Sequence, residues 1–254
     1  MDEGDDYRAA ARALADADVA AALTGAGVST ESGVPDFRSE GGVWDEYDER
    51  DFTIARFQRD PDAFWTDWLD LQEGLIPDDV EPNPAHESLA ALEEAGLLDA
   101  VITQNVDGLH QDAGSRTVVE IHGSGARASC RGCGASFDAA VARERAREAG
   151  GAPACENCGD VLKPDAVLFG ERLPDAPLRG ARRWADESEA FLVVGSSLTV
   201  EPAASLPRRA ADGATLVEVN TESTTASSLA AYTFREKAGE AIPELASAAV
   251  ELQG

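Results

Sequence analysis

Two short apolar runs, VAAAL at 19–23 and FLVV at 191–194, each end in a loop of very small residues: Thr24-Gly25-Ala26-Gly27 and Gly195-Ser196-Ser197. A strand that is apolar on both sides has to be covered on both faces, which is the habit of parallel sheets. A glycine- and serine-rich loop after such a strand lets backbone come close to a phosphate or a ribose. Further runs at 98–103, 117–121 and 215–219 read as strands. Helical periodicity at 7–17, 62–71, 84–92, 203–211 and 239–252 alternates with them. The alternation predicts an α/β fold, a Rossmann-like parallel sheet with helices on both faces.

The first loop departs from the dinucleotide fingerprint. A third glycine would fall at position 30, where the chain has Thr30, and the sequence runs on through Ser32-Gly33 into Pro35-Asp36-Phe37-Arg38. No acidic residue closes a second strand about 20 residues further on, which disfavours a hydride-transferring dehydrogenase.

Between 130 and 158 the α/β pattern stops. Cys130-Arg131-Gly132-Cys133 and Cys155-Glu156-Asn157-Cys158 use all four cysteines of the chain. Each pair can grip one metal ion from a tight turn, and four thiolates make a closed tetrahedral zinc site with no open position, hence a structural one. A helix expected at 137–148 fills the interval. Two disulfides are the competing use, disfavoured in a reducing compartment, and a redox pair would not explain why there are two.

The net charge is -27 over 254 residues, with the acids spread along the chain and only two lysines, Lys163 and Lys237. Hydrophobic residues still make up 43%, enough for a core, so disorder is not the expectation. The balance resembles that of proteins from salt-loving organisms, where screening relieves self-repulsion; a basic partner is the alternative. Direct nucleic-acid binding, which needs a basic face, is not expected. The acidic N-terminus and the lack of a long apolar stretch argue against a signal peptide and a membrane span, and leave a cytoplasmic reading.

In an open parallel sheet, ligands bind outside the carboxyl ends of the strands. Five segments lie at such ends: TGAGVSTESGVPDFR from 24, TQNVDGLH from 103, EIHG from 120, GSSLTVEP from 195 and Asn220-Thr221-Glu222. With the two cysteine pairs, KPDAVLFGE from 163 and VEVN ending at 220, they resemble in order the signatures of the sirtuin (Sir2-type) family of NAD-dependent protein deacylases. The resemblance runs from about residue 20 to 220 and implies one sirtuin domain over 1–254. Residues 1–124 and 161–254 would form the NAD-binding part, with 125–160 an inserted zinc module.

The resemblance implies a set of roles. NAD is consumed as co-substrate, and one structural Zn2+ sits on Cys130, Cys133, Cys155 and Cys158. Gly25, Ala26, Gly27 and Ser29 cradle NAD, and Asp36, Phe37 and Arg38 lie on a loop that folds over it. Gln104, Asn105, Val106 and Asp107 line the nicotinamide end, with the Asp107 carboxylate accepting from the carboxamide. Gly195, Ser196, Ser197, Asn220, Thr221, Glu222 and Ala238 complete the cofactor set. Asn105 and His122 are the catalytic pair. The acyl oxygen attacks the ribose as nicotinamide leaves, and His122 then takes a proton from a ribose hydroxyl. An imidazole, mostly neutral at working pH, suits that step. Val167, Phe169, Gly170 and Glu171 hold the substrate backbone as an added strand. His86 and His110 are read as structural.

Relatives that prefer acidic acyl groups carry a Tyr-x-x-Arg pair where this chain has Trp65 and Trp68. Core packing is the alternative use of both tryptophans; the missing guanidinium favours acetyl or longer apolar acyl groups. Ser196 stands in place of a commoner threonine, and Ser124 in place of a commoner asparagine. The expected partners are acetylated proteins or peptides, the expected products nicotinamide and O-acetyl-ADP-ribose. Protein mono-ADP-ribosylation from the same site and a zinc-ribbon interaction module with a vestigial nucleotide fold are the alternatives.

Overall fold

A computed structural model describes residues 3–37, 41–75 and 80–253. In chain order its elements are α1 (Glu3–Asp16), β1 (Ala20–Thr24), α2 (Val43–Glu46), α3 (Ile54–Arg59), α4 (Pro61–Leu75), α5 (Pro84–Glu94), β2 (Ala100–Thr103), α6 (Leu109–Asp112) and β3 (Val118–Glu120). The second half adds β4 (Arg127–Cys130), β5 (Ser136–Asp138), α7 (Ala139–Ala149), β6 (Leu162–Pro164), α8 (Asp175–Glu187), β7 (Ala190–Val194), α9 (Leu206–Ala210), β8 (Thr215–Val219), β9 (Tyr232–Phe234) and α10 (Ala238–Gln253).

Six strands form a parallel sheet in the order β3-β2-β1-β7-β8-β9. The pleat sorts the apolar runs strictly. Ala20 and Ala22 of β1, with Leu192 and Val194 of β7, face a core shared with Leu14 of α1, Leu89 of α5 and Ile242 of α10. Ala21, Leu23, Phe191 and Val193 face the opposite core, against Ala181 and Ala185 of α8 and Leu206 of α9. Every residue of β1 and β7 is therefore buried, which is why both read as unbroken apolar runs.

The chain leaves β1 for β2 on one side and returns to β7 on the other. That reversal opens a crevice at the carboxyl ends of the two strands, the switch point at which such sheets bind ligands. A second, antiparallel sheet, β5-β4-β6, holds both cysteine pairs at its edge. A third core joins it to the short helices between β1 and β2, through Phe52, Phe57, Phe64, Trp65, Trp68 and Leu162.

Three elements depart from the periodicity reading. The expected helix at 203–211 is a 3-10 turn (Ala203–Ser205) followed by a five-residue helix. Phe137, expected in the inserted helix, lies in β5, because Asp138 caps that helix by accepting from Ala140 N and Val141 N. α8 is absent from that reading, although Leu178, Ala181, Trp184 and Ala185 recur at helical spacing; Ala181 and Ala185 are its buried residues and Trp184 packs beside them.

Candidate active site

The crevice encloses about 1040 Å3, roomy enough for a dinucleotide and part of a peptide. Its floor shows why both loops consist of the smallest residues. Gly27 N donates to Gly195 O at 2.8 Å, and Gly25 N to Val194 O at 3.1 Å, so the two loops touch backbone to backbone. A Cβ on Gly25 would lie 2.8 Å from Gly195 O, and one on Gly195 (φ 59) 2.4 Å from Val28 N. Thr30, where a third glycine was looked for, belongs to a 3-10 turn (Thr30–Ser32) instead of a long helix. The chain is thereby free to fold back over the crevice, where Asp36 and Phe37 line it. Arg38 lies outside the described residues.

Gly25, Ala26, Gly27, Gln104, Asn105, Val106, Gly195, Ser196, Ser197, Asn220, Thr221, Glu222 and Ala238 all line the same space. Gln104 Nε2 bridges the strand ends, donating to Ser196 Oγ at 2.8 Å and Thr24 O at 3.2 Å. Ser29 and Asp107 lie beside Asn105 and bond to it. Ser29 is fully buried, its hydroxyl donating to Asp107 Oδ2 at 2.7 Å. Asn105 Nδ2 donates to Ser29 Oγ at 3.0 Å and to Asp107 Oδ2 at 3.2 Å, and Asp107 Oδ1 accepts from Leu109 N at 3.0 Å. The amide nitrogen of Asn105 is thus held by Ser29 and Asp107, while the residue lines the crevice.

His122 follows β3 and lines the crevice. Its Nδ1 lies 3.0 Å from Gln104 O, which can only accept, so Nδ1 carries the proton and Nε2 is left as the basic nitrogen. Burial pulls the imidazole below its ordinary pKa, against the smaller opposing pull of that hydrogen bond, so the ring is neutral at pH 7.

His86 and His110 lie away from the crevice, their rings 4.9 Å apart, edge to face. His86 Nδ1 accepts from Asn83 N, closing the N-terminal cap of α5, and its Nε2 lies 3.3 Å from Ser29 Oγ. His110 Nε2 lies 2.9 Å from Thr24 Oγ1. Burial, with His86 beside it, pushes the His110 pKa down to about 3. Both hold the network behind Asn105.

The far wall is made by 166–171, which carries the expected substrate residues Val167, Phe169, Gly170 and Glu171, and by an aromatic group. Trp44 packs between Phe37 (5.5 Å) and Phe169 (5.4 Å), with Phe52 and Trp68 beyond. Trp68 lines the crevice, whereas Trp65 is core, its Nε1 donating to Leu162 O at 2.8 Å. Sequence reading had no way to place Trp44 and Phe52 on this wall, since what sets them there is contact with Phe169 and Trp68, far along the chain. It also missed Glu218, fully buried on β8. Its carboxylate pairs with Arg235 Nη2 at 2.8 Å, accepts from Ser227 Oγ at 2.6 Å, and is bonded by Thr224 Oγ1. Arg235 Nη1 in turn donates to Asn220 O (3.2 Å) and Glu222 O (3.1 Å), clamping the loop that lines the crevice beyond β8.

The four cysteine sulfurs lie within 4.8 Å of one another. The pairs Cys130–Cys158 (3.4 Å) and Cys133–Cys155 (3.7 Å) are far longer than the ~2.05 Å of a disulfide. They match the edge, about 3.8 Å, of a tetrahedron with metal–sulfur bonds of about 2.3 Å. Cys133 N and Gly132 N point at Cys130 Sγ, helping to pull that thiol down to about 6. The donor set fits a tetrathiolate zinc.

Comparison with known proteins supports the same reading. The Sir2 family profile matches residues 25–202. The chain is 49% identical over 245 residues to an NAD-dependent protein deacetylase of Haloarcula marismortui, covering 96% of this chain and 94% of that one. A solved complex of a Sir2 homologue with NAD superposes with a TM-score of 0.85 at 38% identity, over 96% of this chain and 94% of that one. Sir2Af2 bound to a myristoylated histone peptide superposes with a TM-score of 0.79 at 40% identity, over 98% of both chains.

Proposed function

The chain belongs to the Sir2 family, and from that premise we propose that it is an NAD-dependent protein-lysine deacetylase acting in the crevice beside the switch point. The observation that carries the reading is His122. Its tautomer is fixed by the Gln104 carbonyl, its pKa is lowered by burial, and Nε2 faces a space whose two walls have different chemistry.

On one wall, small-residue loops and Asn220 receive the phosphates and riboses of NAD. On the other, 167–171 receives the peptide backbone and the aromatic group receives the acyl chain. Asn105, oriented by Ser29 and Asp107, offers an acceptor at the nicotinamide end. Phe37 closes over the reacting ribose and excludes water. Once nicotinamide has left and the acyl oxygen is bonded to the ribose, Nε2 of His122 takes the hydroxyl proton that lets the ribose oxygen attack the acyl carbon. Water then releases free lysine and O-acetyl-ADP-ribose.

The four thiolates hold one zinc ion, which fixes the small sheet and leaves no ligand position for chemistry. The charge of -27 suits a protein working in the cytoplasm at high salt, and makes direct contact with nucleic acid unfavourable. Among the described residues no helix is long and apolar enough to cross a membrane.

The acyl end favours apolar groups. α4 contains no basic residue, and Trp44, Phe52, Trp68 and Leu71 line that end. A succinyl or malonyl carboxylate would be buried there without a partner on α4. Longer chains have a specific support, because the relative Sir2Af2 has been solved with a myristoylated peptide.

The test is mass spectrometry of peptides bearing acetyl-, myristoyl- and succinyl-lysine, incubated with the protein and NAD in molar salt. Free peptide with nicotinamide and O-acyl-ADP-ribose is expected for the first two and not the third. ADP-ribosylated protein without deacylated peptide would establish the transferase alternative instead.

A further inference from the structure

Lys163 is one of only two lysines in the chain, and it is 5% exposed. It sits on β6, opposite Ser129 of β4, at the start of the segment that forms the far wall. A buried ammonium is costly, and an apolar side chain would fill a core more cheaply. Its surroundings show what the charge does. Nζ donates to Pro164 O at 2.6 Å and Ala166 O at 2.8 Å, and pairs with Glu171 Oε2 at 3.0 Å. All three of its donors are used.

The same Glu171 oxygen accepts from Leu168 N at 3.1 Å, and Glu171 N donates to Leu168 O at 3.0 Å across a turn that passes through Gly170 (φ 75). Glu171 Oε1 lies 3.6 Å from Arg131, between the cysteines of the first pair. One ammonium and one carboxylate thus fix carbonyls 164 and 166, amide 168 and the turn 168–171. Within that span Val167 N donates to His122 O at 2.8 Å, so the shape of the segment also sets its distance from the catalytic histidine. A single bridge ties Phe169 of the segment to Thr53, with Phe169 N donating to Phe52 O at 3.1 Å and Ile54 N to Phe169 O at 3.0 Å. Among the described residues no more extended strand pairs with 166–171. Burial lowers the lysine pKa and Glu171 opposes that, which is the balance of an ammonium kept charged by its partner.

We propose that Lys163, acting through Glu171, is a positioning residue for the acyl-lysine peptide: the pair moulds residues 164–171 into the ready-made strand on which the substrate backbone docks. This rests on the deacetylase reading given above. A preformed edge spares the peptide the ordering of its own binding site, so losing the pair weakens peptide binding selectively. NAD, held on the opposite wall, is not affected.

The experiment compares Lys163→Met and Glu171→Gln with the unaltered chain in steady-state kinetics, varying acetyl-peptide and NAD separately, with zinc content and melting curves recorded. The expected result is a peptide KM raised about tenfold or more in both variants, as loss of a buried charge partner implies. The NAD KM and the kcat at saturating peptide should stay within about twofold of the unaltered chain. Lys163→Arg, which keeps charge and donors, should recover much of the loss, which a merely space-filling residue would not. Should Lys163→Met fail to fold, Glu171→Gln, whose side chain is 18% exposed, reads the same split. A peptide KM unchanged in the variants, or an NAD KM rising in parallel, overturns the role of Lys163. An unaltered chain that does not turn over the peptide would sink the deacetylase reading itself, a different and distinguishable failure.

Discussion

The two walls of the crevice are built by opposite means. The NAD wall is backbone on backbone: Gly25, Gly27 and Gly195 meet at the ends of two buried strands, and any added Cβ would strike main chain. The peptide wall is held by side chains from distant parts of the sequence: the Lys163–Glu171–Arg131 cluster, the Trp44 aromatic group and the four thiolates. A wall of the first kind follows from strand topology and is hard to alter piecemeal. One of the second kind depends on charge and, on the proposed reading, on a zinc ion held by the four thiolates, so it can fail while the first still works.

Removing the metal should separate the walls most sharply. A structural zinc contributes on the order of 10 kcal/mol to the fold that carries it. Cys155→Ser is therefore expected to lose zinc, unfold the three-stranded sheet and abolish peptide turnover while ADP-ribose still binds. Elemental analysis and calorimetry with ADP-ribose read the two effects separately, and loss of ADP-ribose binding would show that the walls are not independent.

The reciprocal change is Gly195→Ala. A left-handed φ and a Cβ 2.4 Å from Val28 N impose strain of about 1–3 kcal/mol on the NAD wall. The NAD KM should rise by about tenfold at constant peptide KM. An equal rise in both would contradict the division.

Acid gives the most graded effect, small near neutrality and growing as pH falls. His86, His110 and His122 all have pKa values lowered by burial. Below the ordinary value near 6.5 the unfolded chain binds protons that the folded chain does not, so this contribution to stability is complete above pH 6.5 and lost as pH falls. For His110 the window runs from 6.5 to about 3 and the slope is about 1.4 kcal/mol per pH unit. His110→Gln should flatten the denaturant-derived stability curve across that window by one proton. An unchanged slope would mean that His110 titrates normally.

The difference between the walls also explains what the sequence made legible. β8 was read to the residue, and β1 and β7 nearly so. The latter two are nearly unbroken apolar runs because both their faces are covered, and β8 is interrupted only by the buried Glu218 after its opening Thr215. The site segments were found because each follows a strand end, and the four cysteines because their spacing alone describes a metal site. Local pattern could not show that Ser29, Asn105 and Asp107 join in one hydrogen-bonded group, since they come from two different motif loops. Trp65 and Trp68 looked alike at three residues' spacing, yet one hydrogen-bonds β6 in the core and the other lines the crevice. α8 was missed although Leu178, Ala181, Trp184 and Ala185 do recur at helical spacing, and β9 because it is three residues with one buried phenylalanine. Lys163 left one faint signal, a lysine kept in a chain that otherwise replaces lysine with arginine.

The most direct measurement is to follow nicotinamide exchange and peptide deacetylation in parallel for the unaltered chain and His122→Ala, in molar salt with saturating NAD and acetyl-peptide. If His122 is the base that acts after nicotinamide departs, the variant should keep measurable exchange while deacetylation falls by about 10²–10⁴-fold, the usual worth of a positioned base. Deacetylation that survives the substitution would contradict the account of His122 and, with it, the assignment of the crevice's chemistry.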